Sequence, residues 1–314
     1  RAPLLRPGAI STVAIRTAGV PTPSPTTWRP CQPACSWRKH VVADALSSHV
    51  DKWTAAEPEL ALALRFADAA SRPRIAALIC LEHEIVHAAL HIADRDVALV
   101  KLNWWAEELA ALAAGAARHP LTQTLGGNAD LDAISPGQWG RAASAAMSMR
   151  EAAPAATFQD LLARYRQFAE CWAPMQQALY FAVDADAWIE ARSLALALRD
   201  ALALHHALQQ DRLPLPMELL ARHQLSRSEL AQPSAARDAI LREQISFLSR
   251  AMKAVKRSRL TVHAAVQLRA DEYRCQRMHK SGDVLGSGHD ALARLPLSSA
   301  WVAWRAARTM QRMG

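Results

Sequence analysis

The stretch from Arg74 to Gly115, RIAALICLEHEIVHAALHIADRDVALVKLNWWAEELAALAAG, constrains the fold more than any other part of the chain. It holds two long helical patterns hinged at Ala93-Asp94-Arg95-Asp96. The first is apolar on almost every side, through Ile75, Leu78, Ile79, Leu81, Ile85, Val86, Leu90 and Ile92. A helix of that kind belongs inside a protein. Yet it carries His83, His87 and His91 one turn apart, with Glu84 beside them, so the imidazoles share a face. Buried polar groups cost free energy unless they find partners. The stripe is therefore expected to face a cavity, a metal or another polar helix.

The remainder of the chain also reads as all-α. Of 314 residues, 51% are hydrophobic, mostly Ala and Leu, and only 11 are Gly, while strand-like alternation is almost absent. The net charge of +8 would suggest nucleic acid or a membrane if it were spread over a folded surface. It is not. Residues 1–43 carry Arg1, Arg6, Arg16, Arg29, Arg38 and Lys39 with no acid, and the rest of the chain is near +2, an ordinary globular balance. With no nucleic-acid motif either, that class of partner is rejected. Five scattered cysteines do not make a disulfide framework, which fits a reducing compartment. Cys80 and Cys171 read as buried thiols, and Cys31-x3-Cys35 lacks the second ligand pair of a zinc site. No apolar run reaches the length of a spanning helix.

Residues 1–44 read as a disordered basic leader rich in Pro, Ser and Thr, unable to bury enough surface to order itself. Its composition is also that of a transit peptide, so the expected location is the mitochondrial matrix if it is one and the cytoplasm of a bacterium if it is not. Residues 45–314 read as one all-α domain. Helices are expected over Ser47–Ala56, Glu57–Ala70, then the central pair, the first capped by Ser71 with Pro73 in its first turn and the second ending at Gly115. Further helices follow at Trp139–Glu151, Thr157–Phe181, Ala185–Gln210, Ala235–Lys256 and Leu260–His279. SGDVLGSG reads as a glycine loop before a last helix, Asp290–Met310.

Two segments carry a family resemblance. KLNWWAEELAALAAGAARHPLTQTL (Lys101–Leu125) and RLPLPMELLARHQLSRSEL (Arg212–Leu230) resemble the Trp-containing helix and the Leu-Pro loop of squalene and phytoene synthases. The resemblance runs from about Leu60 to Met310. It implies the isoprenoid-synthase fold, an antiparallel α-helical bundle around a central cavity. It also implies Mg²⁺-dependent transfer of a prenyl diphosphate, with two Asp-rich motifs on facing helices holding the metal, since Mg²⁺ takes oxygen ligands and bridges carboxylates to phosphates.

Both motifs depart from that pattern here. His83-Glu84-Ile85-Val86-His87 stands where the first motif has Asp-Asp-Ile-x-Asp. An ungapped count back from the Leu-Pro loop puts Ala203 and Ala207 at the second motif. A slide of one turn recovers Leu198-Arg199-Asp200, with Leu204 at the partner position. Asp211 replaces a family glycine, while Arg212, Leu215 and Pro216 remain. Glu84, Asp200, Arg199 and Arg212 are thus the candidates for diphosphate binding. Neutral imidazoles are poor Mg²⁺ ligands, so the leading expectation is a catalytically reduced member that binds an isoprenoid or other apolar ligand, or works through a protein partner. An active Mg²⁺-dependent prenyl transferase is the alternative.

A different chemistry competes at the same residues. HEIVH is the H-E-x-x-H pattern, which would make His83 and His87 zinc ligands and Glu84 the base of a hydrolase, although no strand-like stretch precedes it to bind a peptide. A third reading is purely structural: His83, Glu84 and His87 in a buried network with Arg199, His205 and His206, Glu84 pairing Arg199. Elsewhere the ordinary reading is favoured. Of Trp104 and Trp105, which point about 100° apart, one packs inside and the other at the rim. Lys101 reads as a snorkelling lysine. Arg305, Arg308 and Arg312, with Trp301 and Trp304, read as a solvated terminal helix, with peripheral contact to anionic lipid as a second reading.

Overall fold

A computed structural model describes residues 34–180 and 183–312, with side chains from residue 45 onward. Residues 1–33 of the proposed leader lie outside it. The described residues form α-helices and no strands. In chain order they are α1 (Ala34–Ala56), α2 (Pro58–Leu64), α3 (Arg72–Leu90), α4 (Arg95–Ala113), α5 (Pro120–Leu125), α6 (Ala129–Asp132), α7 (Pro136–Glu151) and α8 (Phe158–Leu179). Then come α9 (Ala185–Leu202), α10 (Leu204–Gln209), α11 (Met217–Arg222), α12 (Arg227–Leu230), α13 (Ala235–Ala254), α14 (Val262–Lys280), α15 (Val284–Leu292) and α16 (Ser298–Gln311).

The apolar α3 sits at the centre, as its composition demands: from Ile75 to Leu90 every residue but His87 is buried. It packs on α1, α4, α5 and α7, while α9 packs on α8, α13 and α14. Thus α3 and α9 face each other from two layers of the bundle. Trp105 is buried at 2% exposure and Trp104 lies at the rim at 38%, the division expected from their angular separation. Asp94 caps α4 by accepting from the backbone of Asp96 and Val97. Gly115 ends it in the left-handed region at φ 70°, where a residue without Cβ is unstrained.

Several boundaries differ from the sequence reading, each for a local reason. The first helix begins at Ala34, inside the stretch assigned to the leader. Ser71 does not cap α3 with its side chain. Instead Asp68 accepts from the backbone of Ala70 and Ser71, and from the Ser71 hydroxyl. The supposed glycine loop is α15, capped by Asp283. Gly288 is there because nothing larger fits: a Cβ would lie 2.3 Å from Leu202 Cδ2 and 3.0 Å from Met278 Sδ. The last helix starts at Ser298, after Pro296, rather than at Asp290. The long helix expected over Ala185–Gln210 breaks at Ala203 (φ −82°, ψ 20°) into α9 and α10. That break matters for the site, since Arg199, Asp200 and the histidines of α10 sit on either side of it.

Candidate functional site

Between α3 and α9 lies a cavity of about 300 Å³. His83, His87 and His91 form one wall, Arg192, Leu196 and Arg199 the opposite one, and Trp53 and Glu57 close it from the end of α1. The histidine stripe therefore faces a cavity, one of the three environments that burial allowed. The rings form a continuous stack. His263 meets His83 edge-on at 6.0 Å, His83 lies flat on Trp53 at 4.9 Å, and Trp53 meets His87 edge-on at 6.1 Å. His91 follows at 5.6 Å from His87, then His206 at 6.1 Å from His91. Such ring pairs are favourable in edge-to-face and offset geometries.

Burial decides the charge state of these rings. It removes the water that would solvate an imidazolium, holding His83 well below the ordinary histidine range and lowering His87, with Lys52 and Lys101 adding to the effect on His87. The same cause takes His91 to about 4 and His263 to about 3. At neutral pH the four are uncharged. Three of their nitrogens, His83 Nε2, His87 Nδ1 and His263 Nε2, are buried with no hydrogen-bond partner, as is the Gln267 amide nitrogen. Unpaired polar atoms at that depth mark a place where a polar group can bind with gain.

The acidic candidates are engaged elsewhere. Glu84 does not pair Arg199, as the network reading supposed. Its carboxylate turns away from the cavity to Lys52, to the Trp53 indole N–H at 3.0 Å and to Lys101 at 3.4 Å. Burial would raise its pKa, but these donors more than offset that and lower it. Arg199 instead donates to Glu57 at 2.5 and 3.1 Å, to Glu59 at 3.3 Å and to Asp271 at 3.0 Å. Asp200 and Arg212 come together as a bidentate pair at 2.8 and 2.9 Å, with the Tyr165 hydroxyl donating to Asp200 at 2.7 Å and Leu90 O accepting from Arg212 at 2.8 Å. They are buried outside the cavity wall. The four candidates for diphosphate contact are therefore split among three separate clusters.

The sequence reading missed the groups that neutralise the interior. Glu82, next to His83, accepts from Arg192 at 2.6 Å, and Arg192 also donates to Gln267 at 3.2 Å. Arg274 bonds Asp271 at 2.6 Å and reaches Glu59 as well. Burial pushes Glu57 up, but the charge and hydrogen bonds of Arg199 win, and its carboxyl lies far below the usual range. Glu59 goes the other way, raised by burial and by Glu57 beyond what Arg199 and Arg274 offset. A signal was present: Arg192 and Arg199 are seven residues apart, so they share one face of α9, and buried charges demand partners. His205 is exposed and contacts Gln209, whereas His206 bonds His91 O at 2.7 Å.

The H-E-x-x-H reading is not supported. Glu84 points out of the cavity onto two lysines, and Trp53 lies flat on His83 and edge-on to His87. Among the described residues no group of three or more His, Cys, Asp or Glu is placed to hold a metal, and no strand lies beside the motif.

Comparison with known proteins places this architecture. The family model of squalene/phytoene synthase matches residues 54–276. A dehydrosqualene synthase solved in complex with ligand is similar at TM-score 0.64 and 11% identity, covering 87% of this chain and 96% of that one. Squalene synthase HpnC from Alicyclobacillus acidocaldarius is similar at TM-score 0.53 and 13% identity, covering 82% and 95%. No curated protein sequence matches. The fold of these solved structures is the one found here. The magnesium ions that the family resemblance implies do not fit this donor set. Glu57, Glu82, Glu84 and Asp200 are each held by an Arg or Lys of the chain itself, and the first motif's remaining ligand positions are neutral imidazoles.

Proposed function

The chain belongs to the squalene/phytoene synthase family, and we propose that it has kept the family's interior while giving up prenyl transfer, binding instead an uncharged, apolar ligand of the isoprenoid kind. The observation that carries this reading is that Glu57, Glu82 and Glu84, the carboxylates nearest the histidine stripe, are each ion-paired with an Arg or Lys of the chain, next to imidazoles that stay neutral. Several divalent ions and a diphosphate need a set of free carboxylates, and here only single oxygens of Glu59 and Asp271 are left unpaired, both beside Arg199. A neutral polar head, such as a hydroxyl or carbonyl, suits the unpaired nitrogens of His83, His87 and His263 and the Gln267 amide.

A place for the tail supports the same reading. A second cavity of about 330 Å³ lies on the far side of His263, lined by apolar side chains including Phe66, Ile75, Leu179, Val262 and Met310. Head and tail would thus meet at the His83–His263 ring pair. The test uses purified protein with farnesol and, separately, with farnesyl or geranylgeranyl diphosphate and Mg²⁺. Farnesol is expected to raise the melting temperature, an effect lost in H83F/H87F, and neither diphosphate is expected to be cleaved. Robust Mg²⁺-dependent release of diphosphate would overturn the proposal.

A further inference from the structure

The solvent face of α16 sets exposed apolar side chains beside a row of arginines. At about 100° per residue, Leu297, Trp301, Trp304, Arg305, Arg308 and Arg312 fall within one arc of roughly 100°. Leu297 and Arg312 are the caps, and both have helical backbone. Leu297 is 98% exposed, Trp301 56% and Trp304 46%. The opposite face is the buried one, where Ala303 and Ala307 pack against Ala63, Val262 and Val266. So the tryptophans are not core residues showing through. They stand on the outer side, with the Arg305 and Arg308 guanidinium groups over their rings at 5.4 and 5.1 Å.

Charge narrows what can cover this face. No Asp or Glu follows Asp290 in the sequence. Beside α16, a cavity of about 400 Å³ is bordered by Arg257, Arg269, Arg305 and Trp301, and Arg257 and Arg269 share one carboxylate, that of Glu272. The patch is thus cationic with aromatic rings at its surface. A second copy meeting it face to face would set arginine against arginine. Residues 1–43 carry six cations and no acid, so they are repelled as well. An anionic bilayer meets both requirements, because tryptophan settles at the headgroup level while arginine meets lipid phosphate.

We propose that α16 docks the protein on membranes containing anionic phospholipid, with Leu297, Trp301 and Trp304 entering the interface and Arg305, Arg308 and Arg312 contacting phosphates. The inference is independent of what fills the cavities. It gains a consequence from their placement, since Ala307 and Met310 of the same helix line the apolar cavity. Docking brings that cavity close to a source of apolar molecules.

The test is co-sedimentation of the full chain with vesicles of phosphatidylcholine and phosphatidylglycerol, against phosphatidylcholine alone. Binding is expected only with the anionic vesicles and should weaken as salt is raised. W301S/W304S, whose fold is checked by its melting curve, is expected to lose at least about tenfold in partitioning. R305Q/R308Q should lose on the order of tenfold at low salt. No binding to the anionic vesicles would overturn the proposal. So would unchanged binding by W301S/W304S, which would assign adhesion to the basic residues 1–43. Self-association in solution that W301S/W304S abolishes would make the occupant a second copy and overturn it too.

Discussion

His263 shows how a single side chain can bind folding to pH. It lies on α14 between the two cavities, and burial takes its pKa from the ordinary 6.5 to about 3. Because the folded state disfavours its proton, the unfolded chain takes up more protons below pH 6.5. Its contribution is therefore present at neutral pH and is lost as pH falls from 6.5 towards 3. At 1.4 kcal/mol per pH unit, about 2 kcal/mol disappears between pH 6.5 and 5. His91, held near 4 by burial, acts in the same direction. Melting temperatures measured from pH 7.5 to 5 should fall, and the fall should shrink in H263F. A profile that H263F leaves unchanged would show that the ring is not buried as described.

Part of this residue-scale account could be read from the amino-acid order. A histidine stripe on an apolar helix had to face something polar or hollow, and it faces a hollow. Its partners could not be read. Glu84 and Arg199 looked like a pair because each was the obvious charge on its helix. The geometry gives each a nearer partner from α1 or from the α1–α2 junction, Lys52 and Glu57. Long-range pairing of this kind depends on how helices are rotated against each other, and spacing along one helix does not fix that rotation.

Among the elements, the turn after α10 explains a motif that the sequence left ambiguous. The family pattern has glycine where this chain has Asp211, and Asp211 adopts φ 56°. The left-handed region costs a residue with a Cβ, Asp less than most. The turn is kept because it sends Arg212 back onto Asp200 and Leu90 O. D211G should therefore stabilise the fold by up to about 1 kcal/mol, less whatever its exposed ion pair with Arg227 contributes, a small term for a surface pair. Chemical denaturation would measure it, and destabilisation beyond about 1 kcal/mol would contradict this explanation. The lengths of α3, α4, α13 and α14 were close to legible, since long periodic patterns with caps leave little freedom. α15 was not, because its glycines mimic a loop, and only contact with Leu202 and Met278 reveals Gly288 as a packing residue.

At the scale of the whole molecule, the interior is organised around guanidinium groups. Arg192, Arg199, Arg212 and Arg274 are all buried or nearly so, and each is fixed by at least one carboxylate of another helix or loop. Pairs like these add little net stability, yet removing one partner is costly, on the order of 3–5 kcal/mol, because a charge is stranded. The pairs also hold α9 in register with α3, α14 and the α1–α2 junction, which is where the cavity walls come from. Composition and periodicity identified the all-α class without these contacts, since fold class follows from apolar patterning alone.

Arg199, gripped by Glu57, Glu59 and Asp271, has a meaning for how the protein responds to its surroundings. It is a positive centre supplied by the polypeptide, permanently ligated and impossible to wash out. The chain should accordingly melt at the same temperature in buffer containing EDTA as in buffer containing millimolar magnesium, within about 1 °C. On the function proposed above, a bundle built in this way would carry its counter-ions with it and hold its shape whatever the supply of free cations.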